Sequence, residues 1–440
     1  MKFDNQLRYG STIITSYQGE MPLHAWLKNF FREHKQMGSK DRRVVSNMVY
    51  GFYRLGHALK GIPVEERILI GLFLCYEASG ELLQYFRSEW NERIALPLAE
   101  KIAFLRQSGI AFEPTDIFPW KDDLSESVDH EALCLSFLRQ PDLFLRIRPG
   151  REKEVLDKLR QSAATSVSQS LAQGIAYTFI PPFTLRLPNG FKVEEWFTPD
   201  KEVVIQDYSS QKIAAFLEVG LKPTIQSFRD LGAESSSLPD TFPAGPLSFW
   251  DACAASGGKS ILAFDLNPRI DITVSDIRES ILHNLRERFR QAGIKNYRSF
   301  VADLVRGGEI ENSQSVKGLK RPGIEKGQSA GSFKEYELVL ADVPCSGSGT
   351  WSRTPEELYF FNPKKILYYS SMQKKIVTNI LPHLSKGARL VYSTCSVFKK
   401  ENEEMAGFIQ EAIGSPPDRM ENIKGYDQRA DSMFAARFMA

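Results

Sequence analysis

From the start of the chain to about residue 140, apolar residues return at three- and four-residue spacing: Trp26, Leu27, Phe30 and Phe31, then Val44, Val45, Met48, Val49, Phe52 and Tyr53. That period puts them on one face of successive helices, and no alternating stretch competes with it. Residues 1–140 are therefore expected to form an all-helical domain. Near Pro141 the texture changes. Leu143-Phe144-Leu145-Arg146-Ile147-Arg148 alternates as a strand does, and Arg151 to Leu159 reads as helix. Tyr177 to Leu187 is broken into short strands by Pro181, Pro182, Pro188 and Gly190, so 141–200 is expected to be a small α+β subdomain.

Val203-Val204-Ile205 then enters a helix capped by Asp207 or Ser209, and from there strand and helix alternate. Strands are expected at Leu247 to Asp251, Ile272 to Ser275, Ser299 to Ala302, Leu338 to Ala341 and Ala388 to Ser393, with helices at Ile277 to Ala292 and Lys364 to Leu384. Residues 201–440 thus read as a doubly wound, Rossmann-like α/β domain whose ligands lie at the carboxyl ends of its strands. Two Gly/Ser/Pro-rich stretches, Glu234 to Pro246 and Gly307 to Ser332, read as surface insertions. The second carries Lys317, Lys320, Arg321 and Lys326, as a loop that touches a polyanionic substrate would.

Composition narrows the class. A chain of 440 residues has room for two or three domains, and 42% hydrophobic with 25% charged residues is a globular composition. The net charge of +2 leaves affinity for nucleic acid to local patches. Two are candidates. Ser39, as an N-cap, would expose Lys40, Arg42 and Arg43 on a first helical turn, where cations oppose the helix dipole; the alternative is a solvated charged face. Arg146, Arg148 and Arg151 form a possible second patch for an RNA backbone. Five scattered cysteines without a Cys-x-x-Cys pair argue against disulfides and against a zinc site, and for a reducing, cytoplasmic compartment. The longest apolar run, Ile68 to Tyr76, is far short of the roughly 18 residues of a membrane span, and the start lacks a signal-peptide core.

Candidate chemistry gathers at three expected strand ends. Leu390-Val391-Tyr392 runs into Ser393-Thr394-Cys395-Ser396; Asp342 is followed by Pro344-Cys345-Ser346-Gly347-Ser348-Gly349; and Asp251 opens Ala252-Cys253-Ala254-Ala255-Ser256-Gly257-Gly258-Lys259. Either thiol alone is as readily an inert core cysteine. Together, three such ends would meet at one edge of an open sheet. Gly258-Lys259-Ser260 imitates the end of a phosphate-binding loop, but Cys253 stands where that motif needs its first glycine, so a nucleoside triphosphatase is not expected. Asp276 ends the next strand at the place where such folds hold ribose hydroxyls, and Asp303 ends the one after. Each is alternatively an ordinary helix cap. A glycine turn beside two acidic strand ends suits a nucleoside without a phosphate chain, and S-adenosylmethionine fits. The expected cofactor site is Cys253, Ala254, Ala255, Ser256, Gly257, Gly258, Lys259, Asp276, Asp303 and Asp342.

With these motifs assembled, residues 203–405 resemble the RsmB/Nop/Sun family of RNA cytosine-5 methyltransferases. The resemblance runs in order through Val204-Ile205-Gln206-Asp207-Tyr208-Ser209-Ser210-Gln211, Asp251 to Lys259, Asp342 to Gly349, Arg353-Thr354-Pro355-Glu356, Gln373, Tyr392 to Ser396 and Glu401-Asn402-Glu403. The helical start, around Arg42 to Arg54, looks like the NusB-like RNA-binding domain of some members. One departure is Ser256, where the family usually has proline, which loosens the turn. The resemblance implies that Cys395 is the thiolate that adds to carbon 6 of cytosine, so that carbon 5 becomes nucleophilic. It implies that Cys345 serves product release and that Asp342 holds the base edge. Lys259 would favour a thiolate whose ordinary pKa of about 8.5 leaves little of it ionised at neutral pH. The expected partner is single-stranded or easily opened ribosomal or transfer RNA, bound by a monomer without metal. Two rivals differ in class. In a DNA cytosine methyltransferase Cys345 would attack, and a non-catalytic RNA-binding or assembly protein would have kept only the fold.

Overall fold

The computed structural model describes residues 2–165, 176–218, 246–307 and 335–440. The insertions expected at Glu234 to Pro246 and Gly307 to Ser332 lie outside these residues, apart from Pro246 and Gly307. The chain divides into two compact units, the first of Met1–Pro141 with Gly347–Lys365 and Tyr426–Asp431, the second of everything between and after them.

In the first unit the helical periodicity is realised as helices that include Phe3–Ser16, Leu23–Glu33, Ser39–Arg54, Val64–Cys75, Leu98–Gln107 and His130–Phe137. Helices Ser39–Arg54 and Val64–Cys75 touch backbone to backbone. A Cβ on Gly71 would lie 2.5 Å from the Gly51 carbonyl, which only glycine avoids. The two later segments are built into this unit. Glu356 accepts the Leu23 N–H at 3.1 Å, Arg54 donates to the Phe137 and Ser352 carbonyls at 2.9 Å each, and Arg353 pairs with Asp431 at 2.8 Å. Tyr17 and Tyr53 meet Phe360 and Tyr359 edge-on, with ring centroids 5.5 and 5.3 Å apart. The Arg353-Thr354-Pro355-Glu356 motif is thus a structural part of the helical unit. Ser39 does not cap. It is the first residue of its helix, behind an N-cap at Gly38. Lys40 pairs with Glu81 at 3.0 Å, and Arg42 donates to the Met37 carbonyl at 2.9 Å.

The second unit holds two sheets. Strands β1 (Leu143–Ile147), β2 (Thr178–Ile180), β3 (Thr184–Leu187) and β4 (Val203–Ile205) form a small antiparallel sheet in the order β2-β3-β1-β4. Strands β5 (Ser248–Asp251), β6 (Asp271–Asp276), β7 (Tyr297–Val301), β8 (Tyr336–Asp342), β9 (Leu384–Thr394), β10 (Arg419–Ile423) and β11 (Met433–Met439) form a large one in the order β10-β11-β9-β8-β5-β6-β7. The run from β9 to β7 is parallel, as the Rossmann-like reading requires, while β10 and β11 add an antiparallel edge. Residues 141–200 share one continuous core with the large sheet, from Leu145 and Leu185 through Phe249 and Ile272 to Leu285 and Phe289. Trp250, Val339, Ala341 and Tyr392 face the other way and pack against Ile376 and Met405. Both faces are therefore covered, which is why these strands read as nearly continuous apolar runs.

The arginine patch expected in β1 is corrected here. Arg146 is 1% exposed and Arg148 is buried, and both are held by the buried Asp265, Arg148 through a bidentate pair. A buried guanidinium must be paired, so these two tie the small sheet to Asp265 on helix Gly258–Leu266 and do not present charge to a ligand. Arg151 pairs with Glu154 at 3.1 Å. Among the described residues no helix is long and apolar enough to cross a membrane.

Candidate active site

The ends of β5, β8 and β9 are neighbours in the sheet, so register decides what meets. Asp342 lies opposite Ser393, and Asp251 lies opposite Leu340. Strands β5 and β8 end at Asp251 and Asp342 and β9 at Thr394, and just beyond these ends the Sγ atoms of Cys345 and Cys395 come within 3.3 Å of each other. Beside them Lys259 donates to Asp342 Oδ2 at 2.7 Å while Ser393 donates to Oδ1 at 2.7 Å, which fixes the plane of that carboxylate. Burial opposes the charge on Lys259, yet Asp342, Cys395 and Asp251 together raise its pKa above the ordinary value. The lysine is a fixed cation at the thiols.

Glu401, fully buried, holds this arrangement and was not assigned a role from the sequence. Its carboxylate accepts the Ser346 N–H at 2.8 Å, the Ser396 hydroxyl at 2.8 Å and the Gln373 side-chain amide at 3.1 Å. The same Gln373 amide donates to the Pro344 carbonyl at 3.0 Å, and Tyr392 donates to the Glu401 carbonyl at 2.7 Å. One carboxylate thus ties the residue after Cys345 to the residue after Cys395. Burial pushes its pKa up, against the hydrogen bonds that lower it. Nothing in hydrophobic periodicity marks such a residue; only its place in the Glu401-Asn402-Glu403 motif did.

The turn after β5 is built from backbone. Ala255 and Gly257 adopt φ of 45° and 81°, and a Cβ on Gly257 would lie 2.9 Å from Leu285. Gly257 is the N-cap of helix Gly258–Leu266. Ala254 N–H donates to the Ser275 carbonyl at 2.9 Å, and Ala255 N–H to Asp276 Oδ2 at 3.1 Å. Asp276 also accepts the Arg278 N–H at 3.0 Å. Ser256 is clasped by Arg288, which donates to its carbonyl and hydroxyl at 3.0 Å each and is itself held by Asp200 at 2.7 Å. The serine in the proline position is therefore braced from outside. Asp251 Oδ2 accepts the Ser260 hydroxyl at 2.6 Å, but its Oδ1 is buried with no partner. Burial first, then Asp342 and Asp276, push its pKa up to about 7. Burial and the same three carboxylates raise that of Cys253. Asp303 Oδ1 accepts the Val305 and Arg306 N–H groups of its own turn at 3.0 and 3.2 Å.

Residues 246–419 match the family model for the 16S rRNA methyltransferases RsmB/F. Over these residues the chain carries a methyltransferase domain of the RsmB/F type. Relatives agree over nearly its whole length. The ribosomal RNA small subunit methyltransferase B of Enterobacter sp. (strain 638) is 22% identical over 95% of this chain and 87% of its own. The probable ribosomal RNA small subunit methyltransferase B of Synechocystis is 27% identical over 84% and 73%. The crystal structure of PH0851 superposes with a TM-score of 0.59, at 16% identity, over 99% of this chain and 98% of the other, which establishes the shared fold. The family's cofactor is S-adenosylmethionine. The residues present fit it: the left-handed Ala255 and Gly257 open the turn to close approach, the Asp276 carboxylate stands at the end of β6, and the unpartnered Asp251 oxygen points to a polar ligand at the start of the turn.

Proposed function

We propose that this protein methylates carbon 5 of a cytosine in ribosomal RNA, with Cys395 as nucleophile and Cys345 as the thiol of product release. The observation that carries this reading is the pair of sulfurs 3.3 Å apart beside the Lys259–Asp342 ion pair. The relatives, ribosomal RNA small subunit methyltransferases, favour ribosomal over transfer RNA. S-adenosylmethionine would be held by the Ala254 to Gly258 turn and Asp276, and it supplies the methyl group.

The Cys395 sulfur, as thiolate, bonds to carbon 6 of a base turned out of its stack, and the ring takes up a proton as the double bond is saturated. Asp342, fixed by Lys259 and Ser393, holds the base edge where that proton is gained. Carbon 5 now carries the electron density and accepts the methyl group. Its proton then leaves, the carbon–sulfur bond breaks to give back the Cys395 thiolate, and the ring returns the proton it took up at the start. Cys345 sits beside the sulfur that must depart, which is where a residue serving release has to be. Glu401 acts at one remove by keeping both thiol loops in register.

The two cysteines should fail differently. Cys345→Ala should stall after methyl transfer and accumulate a covalent protein–RNA band on denaturing gels, labelled from methyl-tritiated cofactor. Cys395→Ala should give no band and no 5-methylcytosine. A band in Cys395→Ala but not in Cys345→Ala would reverse the roles, as the DNA-type rival requires, and no band in either would leave a non-catalytic protein.

A further inference from the structure

Helix Lys364–Ile380 carries four charged residues, Lys364, Lys365, Lys374 and Lys375, and no carboxylate. Its inner face is occupied: Ile366, Ile376, Val377 and Ile380 are buried, and Gln373 reaches the Pro344 carbonyl and Glu401 in the thiol loops. At 100° per residue, Leu367, Tyr368, Ser371, Lys374, Lys375 and Thr378 fall in one stripe on the opposite side, and all six are exposed. A solvated helix face ordinarily mixes both signs of charge and few large apolar groups. This one has a single sign, with Leu367 59% and Tyr368 60% exposed. The Tyr368 ring is braced edge-on by Tyr369, centroids 5.4 Å apart.

We propose that this outer stripe is a docking strip for single-stranded RNA flanking the target base. The inference rests on the RNA reading above. Cations with no acidic neighbour on the helix complement a phosphate chain, and an exposed, braced ring between them offers a face on which a base stacks whatever its sequence. A docked strand would bear on a helix whose other side is bonded to the loops of Cys345 and Cys395.

The test uses the full chain and a short, fluorescent, cytosine-containing single-stranded RNA as probe. Tyr368→Ala should weaken RNA binding roughly 5- to 100-fold, the range of one base–aromatic stack. Lys374→Gln with Lys375→Gln should lower the slope of log affinity against log salt by about 1 to 1.4, at about 0.7 per single-strand phosphate contact. Both variants should keep the wild-type affinity for S-adenosylmethionine and the wild-type melting temperature. RNA affinity and salt slope within error of wild type, in variants that still methylate, would overturn the strip and leave the methyltransferase reading standing. Wild-type protein that neither binds nor methylates RNA would remove both. Sedimentation that finds a dimer abolished by Tyr368→Ala would overturn the strip in favour of an interface between copies of this chain.

Discussion

The two halves of the active edge are held by opposite means. The thiol loops after β8 and β9 are fixed by side chains, with Glu401 bonded to Ser346, Ser396 and Gln373. The turn after β5 is fixed by main chain, in the left-handed Ala255 and Gly257 and the N–H groups given to Ser275 and Asp276, with Arg288 clasping it from outside. The difference follows from what each must present. Two sulfurs have to be placed within a few tenths of an ångström, which a buried network does well. A turn that admits a cofactor closely must stay bare of side chains.

That contrast can be broken from either side. The largest effect should come from Glu401→Ala, which removes the acceptor shared by the Ser346 N–H, the Ser396 hydroxyl and the Gln373 amide. We expect a stability loss of about 3 kcal/mol or more in a denaturant titration and methylation reduced roughly 100-fold, with Glu401→Gln intermediate because it keeps one acceptor. Arg288→Met should act on the other side only, raising the Kd for S-adenosylmethionine about tenfold by calorimetry, which corresponds to about 1.4 kcal/mol, while the Cys345→Ala adduct still forms at saturating cofactor. An unchanged Kd would mean that the backbone holds the turn unaided.

A pH dependence concerns Asp251, whose pKa rises from the ordinary 3.8 to about 7 in the fold. Between those values the folded protein keeps a proton that the unfolded chain has lost, so this group's contribution is full below about 3.8 and is lost as the pH rises through about 7. Melting temperatures should therefore fall from pH 5 to pH 8 more in wild type than in Asp251→Asn; parallel profiles would contradict the shift.

Much of this was legible in residue pattern. Five parallel strands appeared as apolar runs because both sheet faces are covered, and their exits carried the small polar residues that now meet. The antiparallel strands β10 and β11 escaped the reading of strands: β10, with Glu421 and Asn422, lacks an apolar run, and Ala435 and Ala436 blur the pattern of β11. Arg146 and Arg148 misled for a physical reason, since an arginine in an alternating segment looks solvent-facing until its carboxylate partner is known, and Asp265 lies far off in sequence. Glu401 and Arg288 were likewise invisible in role, because their partners come from distant loops.

The division of the helical unit among three stretches of chain also has a consequence in time. Residues up to Pro141 emerge from the ribosome with the places of Tyr359 and Phe360 unfilled, and Gly347–Lys365 follows only about 200 residues later. At about 5–20 residues per second that is a wait of roughly 10–40 s. Throughout that wait Tyr17 and Tyr53 lack Phe360 and Tyr359, the later rings they pack against. It closes only after the Cys345 loop itself has been made.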